Sequence, residues 1–464
     1  MLTIFDRAGA WGRRDFLRIG SLGLGGMTLP GLLSAKAIAA ERGVPVTDKS
    51  VIFLFLHGGP SQIETFDPKL TAPTEIASAT GEVSTSIPGI TFGGTFTKLA
   101  QRAQNLSVVR SFVTGDGNHD IKPIVGKDTS GANLGAIYSR LVGANHPTTG
   151  MPTNVALYPQ AVDSTTRPTT QQFGKFESTG PFGSNFAPFV PGSGGALQEA
   201  MKLSLPMNRL DDRRALLTNL DRVKLALDAA GQPVGNDKLR EQAFDIILGG
   251  VADAFDLSKE DAATIARYDT ALLVRPDQID KKWNNYNNYV DNAKSLGKLL
   301  LLARRLCEAG CGFVTVTTNF VWDMHSDVNN APVEEGMRYM GVPLDHAVSA
   351  FLDDVEARGL SNKILLVACG EMGRTPRINK NGGRDHWGGL ASLLLSGGGL
   401  KMGQVIGQST RDAGEPLTEP VTIRHLIATI YHTLFDVGQL RVTRGVPNEV
   451  LQAINNWEPI RPLI

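Results

Sequence analysis

The sequence predicts an α/β protein: a doubly wound, mostly parallel sheet flanked by helices, interrupted by a long irregular and helical insertion. Two observations predict it. Continuous apolar runs without alternation, typical of strands buried on both faces, are separated by helical patterns. Glycine-rich loops bearing histidine and acidic residues follow several of those runs, where open α/β sheets gather functional groups.

The apolar runs are residues 51–56, 106–110, 313–318, 364–369 and 393–395. Each reads as a buried parallel strand. Between and after them lie helical patterns. "AKSLGKLLLLARRLCEAG" (293–310) has one apolar face and stops at Gly310, and "PLDHAVSAFLDDVEARG" (343–359) places Pro343 at its first turn and stops at Gly359. The last is "VTIRHLIATIYHTLFDV" (421–437). Residues 150–207 are rich in Pro, Gly, Ser, Thr and Phe and read as an irregular cap over one edge of the sheet. Residues 208–300 read as polar and largely helical, with "NRLDDRRALLTNLDRVKLALDAAG" amphipathic. The expected organisation is one α/β domain over 40–464, with the insertion at about 150–300.

Composition removes some function classes. The 464 residues carry 46 basic and 46 acidic side chains, so the formal net charge is zero. That balance argues against nucleic acid and anionic membrane surfaces as partners, since both select a basic excess. The three cysteines, Cys307, Cys311 and Cys369, are odd in number and lack paired ligand spacing. They read as small buried hydrophobes, with a Cys307–Cys311 disulfide as the alternative.

The first 39 residues read as an address and not as fold. "GRRDFLRIGSLGLGGMTLPGLLSAKAIAAER" sets Arg13 and Arg14 before Phe16 and Leu17, then a weakly hydrophobic stretch, then a small-residue cleavage site at Ala37-Ile38-Ala39. It resembles a twin-arginine export signal, with an amphipathic N-terminal helix as the alternative. The expected partner during export is the twin-arginine translocase. The expected location is the periplasm, cell envelope or extracellular space, with no membrane span once the signal is cleaved.

The candidate site residues cluster by position. His57 ends the first apolar run. Asn118, His119 and Asp120 stand in "TGDGNHD", and Asp323, His325 and Asp327 in "NFVWDMHSD". Glu371 stands in "CGEMGRTPR", and Asp385 and His386 in "GGRDHWGG". Taken singly, each such histidine reads as a loop hydrogen bond. Four of the chain's eight histidines in one topological position point to a shared polar site. Imidazole with carboxylate suits one or two divalent ions, zinc first, with manganese, magnesium or calcium tolerated by the carboxylates. Arg374 and Arg377 beside Glu371 read either as a clamp for phosphate or sulfate or as ordinary salt-bridge partners. His146, His346, His425 and His432 read as structural. No strand-bound G-x-G-x-x-G and no P-loop is present.

"RRDFLRIGSLGLGG", "FLHGGPSQIETFDPK", "VRSFVTGDGNHD", "WDMHSD" and "ACGEMGRTPRIN…GRDHWGG" together resemble an exported bacterial family common in planctomycetes, domain of unknown function 1501, over nearly the whole chain. That family is grouped with the alkaline phosphatase and sulfatase superfamily. The resemblance implies a doubly wound fold with a two-metal site at the strand ends. It sets His57 at the position of a metal-binding aspartate, Asp323 and His325 at a later aspartate and histidine, and His386 at a final histidine. Glu371 followed by Met372 departs from the superfamily's adjacent Asp-His pair. The nucleophile falls near 111–120, where Ser111, Thr114 and His119 are candidates. No cysteine lies there, so a formylglycine nucleophile is excluded. The expected activity is metal-dependent hydrolysis of phosphate or sulfate esters, on a small anionic ester or a polysaccharide. His119 is then nucleophile or general base, Ser111 the hydroxyl candidate and Arg374 the anion holder. The alternative is a cell-envelope binding or structural protein that kept the fold without catalysis.

Overall fold

Seven strands build the main sheet: β1 (Ser50–Phe55), β2 (Ser107–Val109), β3 (Asn154–Leu157), β4 (Phe313–Thr317), β5 (Ile364–Cys369), β6 (Leu393–Gly397) and β7 (Gln404–Ile406). Their order across the sheet is β7-β2-β6-β5-β1-β4-β3. The computed structural model describes residues 44–192, save 148, and 251–464, with the backbone of two short paired strands, Ile4–Asp6 and Gly9–Trp11. The rest of the expected export signal and the amphipathic stretch at 208–231 lie outside the described residues.

β5, β1 and β4 run parallel, as their apolar runs predict, and β3 pairs parallel with β4 beside them. β6 does not. It pairs antiparallel with both β5 and β2, which corrects the parallel reading of 393–395. The chain leaves β5 at its carboxyl end and returns from that same end through 370–392, with no crossover helix to carry it back. A run buried on both faces carries no direction of its own.

The sheet is covered on both sides by helices. A one-turn helix, α1 (Gln62–Thr65), follows the turn after β1, and the longer helices that pack on the sheet include α2 (Leu134–Val142), α3 (Tyr286–Glu308), α4 (Val333–Ala357), α5 (Ile423–Leu434) and α6 (Asn448–Asn456). Strand alternation divides β1 between two cores. Ile52, Leu54 and Leu56 face the apolar stripes of α3 and α4. Val51, Phe53 and Phe55 face α2, α5 and α6. This is a mixed sheet with helices on both faces, in agreement with the predicted class.

Four further elements differ from expectation. Asn154–Leu157, inside the stretch read as insertion, is an edge strand of the main sheet, too short and too close to Pro152 and Pro159 to stand out. α3 starts at Tyr286 and not at 293, its first turns hidden from the apolar pattern by the buried polar residues Asp291 and Asn292. α4 starts at Val333 and runs through Pro343. Proline inside a helix costs about 3 kcal/mol. Here Val333, Met337, Met340 and Leu344 make one continuous buried stripe that outweighs it. At the last helix, Val421 and Thr422 pair in parallel with Phe112 and Val113, so α5 begins only at Ile423. All three cysteines are buried and free. Burial pushes the Cys311 thiol up to about 12, consistent with inert apolar packing. Among the described residues, no helix is long and apolar enough to cross a membrane.

Candidate metal centre

The parallel strands β5, β1 and β4 are neighbours, so their carboxyl ends open on one edge. His57 follows β1, Asp323 follows β4 and Glu371 follows β5. β6 enters from that same edge, which brings His386 there from the loop before it. His119 arrives on the loop after Phe112–Val113. Lys122 braces that loop by donating to Asp116 Oδ1 (2.9 Å), Asp120 Oδ1 (2.7 Å) and the Asn118 carbonyl (3.1 Å).

Asp323 is the hub. Its Oδ1 lies 3.1 Å from His386 Nε2, 3.4 Å from His119 Nε2 and 2.6 Å from Arg374 Nη2. Its Oδ2 lies 2.9 Å from His325 Nε2 and accepts from Asn330 Nδ2 at 3.2 Å. Burial alone would raise this carboxyl. Hydrogen bonds from His119, His325 and His386, with the charge of Arg374, outweigh burial and hold it well below the usual carboxylate range. His119 and His386 stand with ring centroids 4.2 Å apart. His119, Asp323 and His386 offer three ligand atoms within 4.8 Å of one another, a group that can hold a metal ion.

Glu371 stands behind this trio. Its Oε1 lies 2.9 Å from His119 Nδ1 and accepts from the Gly58 N–H at 3.0 Å. The carboxylate is fully buried. The sequence reading makes Glu371 a ligand and His119 the nucleophile or base. In the structure His119 belongs to the metal-capable trio, and Glu371 holds the far side of its ring. Burial by itself would lower the His119 imidazole, and its hydrogen bonds to Asp323 and Glu371 raise it overall.

The turn after β1 works through its backbone. Gly58 and Gly59 have φ of 114° and 81°, and a Cβ on Gly58 would fall 2.6 Å from the Asp323 nitrogen. Only glycine lets the turn lie this close. Its two carbonyls accept from Arg374, Gly58 O from Nη2 and Gly59 O from Nε at 2.9 Å. Arg374 Nη1 donates to the Arg384 carbonyl at 3.3 Å, and Gln62 on α1 grips the Arg374 backbone from both sides. Arg374 is therefore buried with its donors committed to protein oxygens. Of the two readings open for it, the geometry is that of a salt bridge to Asp323.

The remaining expected residues are not members of the trio. The His57 ring is buried among Phe55, Phe173, Phe176 and Phe320, with Nε2 lacking a hydrogen-bond partner. Burial lowers its pKa and keeps it neutral. His325 bonds the far oxygen of Asp323. Asp385 is exposed and accepts from Asn379 Nδ2 at 3.0 Å. The Ser111 hydroxyl is buried without a partner against Gly407, and the Thr114 hydroxyl is buried and unpaired as well. Neither hydroxyl is placed to attack a ligand from solvent.

Two parts of the site escaped the sequence reading. Arg384 and Glu64 form a fully buried ion pair at 2.8 Å, and Arg384 also donates to the carbonyls of Ile76 and Ala77. This pair anchors the loop that delivers His386. Phe173 and Phe320 lean on His119 with centroids 5.1 and 4.6 Å away. Neither aromatic stood in a patterned position. The only available signal for Arg384 was its adjacency to Asp385 and His386.

The class defined by fold and site is a mixed-sheet α/β protein with a His-Asp-His group at the strand ends that can hold a metal. More particularly, residues 48–445 match the family model described as protein of unknown function (DUF1501), and the chain belongs to that family. Among solved structures, it is similar to the PsFucS1 sulfatase from Pseudoalteromonas sp., with TM-score 0.36 and 10% identity over 87% of this chain and 70% of that one. It is also similar to the phosphonate monoester hydrolase of Silicibacter pomeroyi, with TM-score 0.36 and 9% identity over 89% and 76%. Comparison with curated proteins finds no match.

Proposed function

We propose that this protein is an exported metal-dependent hydrolase of phosphate or sulfate esters, acting on a small anionic ester or an ester group on a polysaccharide. The observation that carries the reading is the His119–Asp323–His386 trio. Ligand atoms bound tetrahedrally at 2.0–2.1 Å stand about 3.3 Å apart. The separations from Asp323 Oδ1, 3.1 Å to His386 and 3.4 Å to His119, fit that spacing. Two imidazoles and one carboxylate form a nitrogen and oxygen set suited to zinc or a similar divalent ion.

When bound, the ion supplies Lewis-acid polarisation of an ester oxygen and lowers the pKa of water. The chain's residues supply the rest. Glu371 accepts at Nδ1 of His119, which leaves the Nε2 lone pair directed at the centre. His325 and Asn330 hold Oδ2 of Asp323, fixing the direction of Oδ1. Phe173 and Phe320 keep water from the His119 face. Burial of Ser111 and Thr114 favours water as the attacking group. Its oxygen bonds to phosphorus or sulfur as the ester bond breaks, and a proton passes to the leaving oxygen. Export would follow the twin-arginine route into the periplasm or cell envelope.

The same burial favours a second reading, a cell-envelope binding protein that holds a metal without turnover. Purified full-length protein assayed on aryl phosphate and aryl sulfate with zinc, manganese, magnesium or calcium separates the two. Turnover that depends on the ion and is lost in Asp323→Ala supports the hydrolase. Bound metal with no turnover on any ester supports the second reading, and absence of both sinks the first.

A further inference from the structure

The centre holds two buried carboxylates, Asp323 and Glu371, and one buried guanidinium, Arg374. Arg374 sits against the shared hub: Nη2 bonds Oδ1 of Asp323 at 2.6 Å, the oxygen that also faces His119 and His386. Its other donors end on the carbonyls of Gly58, Gly59 and Arg384. A guanidinium so enclosed cannot swing out, and arginine keeps its charge at every accessible pH. Like charges brought this close repel strongly at low dielectric, so each fixed cation limits how many more the pocket accepts. The surroundings of Arg374, one carboxylate oxygen and two turn carbonyls, are also an oxygen-donor cradle of the kind that hard divalent ions use.

We propose that Arg374 is the built-in second cation of this centre, so that the site takes one divalent ion, on His119, Asp323 and His386, and not two. The inference rests on the metal-centre reading above and adds its stoichiometry. Arg374 neutralises one of the two carboxylates. A single dication then leaves the centre with one net positive charge, matched to an anionic ester group. It also gives the Gly58-Gly59 turn a purpose, since its carbonyls exist at this spot to hold a cation.

Counting ions tests this without reference to activity. Full-length protein is stripped with chelator, titrated with zinc and separately with manganese, and measured by calorimetry and elemental analysis. One ion per chain is expected for the unaltered protein, and one for Arg374→Lys, which keeps the charge. Arg374→Met empties the oxygen cradle, and a second, weaker manganese site is expected there. Two ions in the unaltered chain overturn the inference and leave the metal-centre reading standing. A single ion in folded Arg374→Met chain overturns it as well. No ion in the unaltered protein overturns both. If Arg374→Met does not fold, the count in the unaltered chain and in Arg374→Lys still decides.

Discussion

Arg374 Nη2 lies 2.6 Å from Asp323 Oδ1, and that same carboxylate oxygen is where His119 and His386 converge. Structural support and metal-capable geometry thus share one atom. Asp323→Asn should damage both. Removing one partner of a buried ion pair costs about 3–5 kcal/mol. The variant should unfold earlier on heating, and its metal affinity should fall by more than the roughly 10–100-fold typical of groups behind a ligand. Unchanged metal affinity in a folded Asp323→Asn chain would remove Asp323 from the centre.

Glu371→Gln tests the group behind His119. The side chain keeps its shape and can still accept from the Gly58 N–H, but it no longer offers a charged acceptor to His119 Nδ1. Metal affinity should drop by roughly 10–100-fold, measured by competition with a chromophoric chelator. A change below twofold would make the contact incidental.

The Glu64–Arg384 pair predicts a stability effect at a distance from any ligand. Both side chains are fully buried, so Glu64→Ala strands the Arg384 guanidinium at a cost of about 3–5 kcal/mol. Replacing both partners, as in Glu64→Ala with Arg384→Met, should cost less than the sum of Glu64→Ala and Arg384→Met made singly. Denaturant titration of the single and double variants gives the comparison. Additive losses would mean that the pair is not coupled.

Acid stability should depend on Glu260. Its carboxylate meets Arg305 Nη1 at 3.1 Å and Arg358 Nη2 at 2.9 Å, and it also bonds Arg304. Burial alone would raise it. The hydrogen bond and charge of Arg304, joined by Arg305 and Arg358, hold it at about 2 against an ordinary 4.5. A carboxyl depressed on folding stabilises fully above its unfolded value, and that stability is lost as pH falls through the folded value. The loss therefore lies between about pH 4.5 and 2. Glu260→Gln should be less stable at neutral pH and show a flatter stability profile across that window. A profile parallel to that of the unaltered protein would contradict this.

Ser111→Ala should leave the proposed ester hydrolysis unchanged, because the hydroxyl is buried and unpaired against Gly407. An unsatisfied buried hydroxyl costs about 1–3 kcal/mol, so the variant should melt at the same temperature or higher. Loss of turnover with an intact melting temperature would restore Ser111 as nucleophile.

Much of the site could be read from residue type and position. His119, Asp323, His325, Glu371 and His386 do meet at one edge. Asp323, His325 and Glu371 lie on loops after the neighbouring parallel strands β4 and β5, while the loop before antiparallel β6 brings His386 and the loop after Phe112–Val113 brings His119. Their division of labour could not be read. Whether a carboxylate faces the open centre or the back of a histidine depends on rotations of a few ångströms set by packing. His57 shows the limit: it ends the first strand as expected, yet four phenylalanines enclose its ring while its neighbours Gly58 and Gly59 make the contacts to Glu371 and Arg374.

The sequence by itself determined the layered α/β arrangement, since unbroken apolar runs can only be buried on two faces and periodic helices must cover them. It also determined which loops carry titratable groups. Tertiary structure alone decided that β6 runs antiparallel, that Asn154–Leu157 joins the sheet, and that α4 continues through Pro343. It alone set Arg374 on Asp323 and Glu64 on Arg384, contacts between residues 51 and 320 positions apart. Such pairings are fixed by which buried charge finds a partner when the chain closes, and a local pattern holds no record of them.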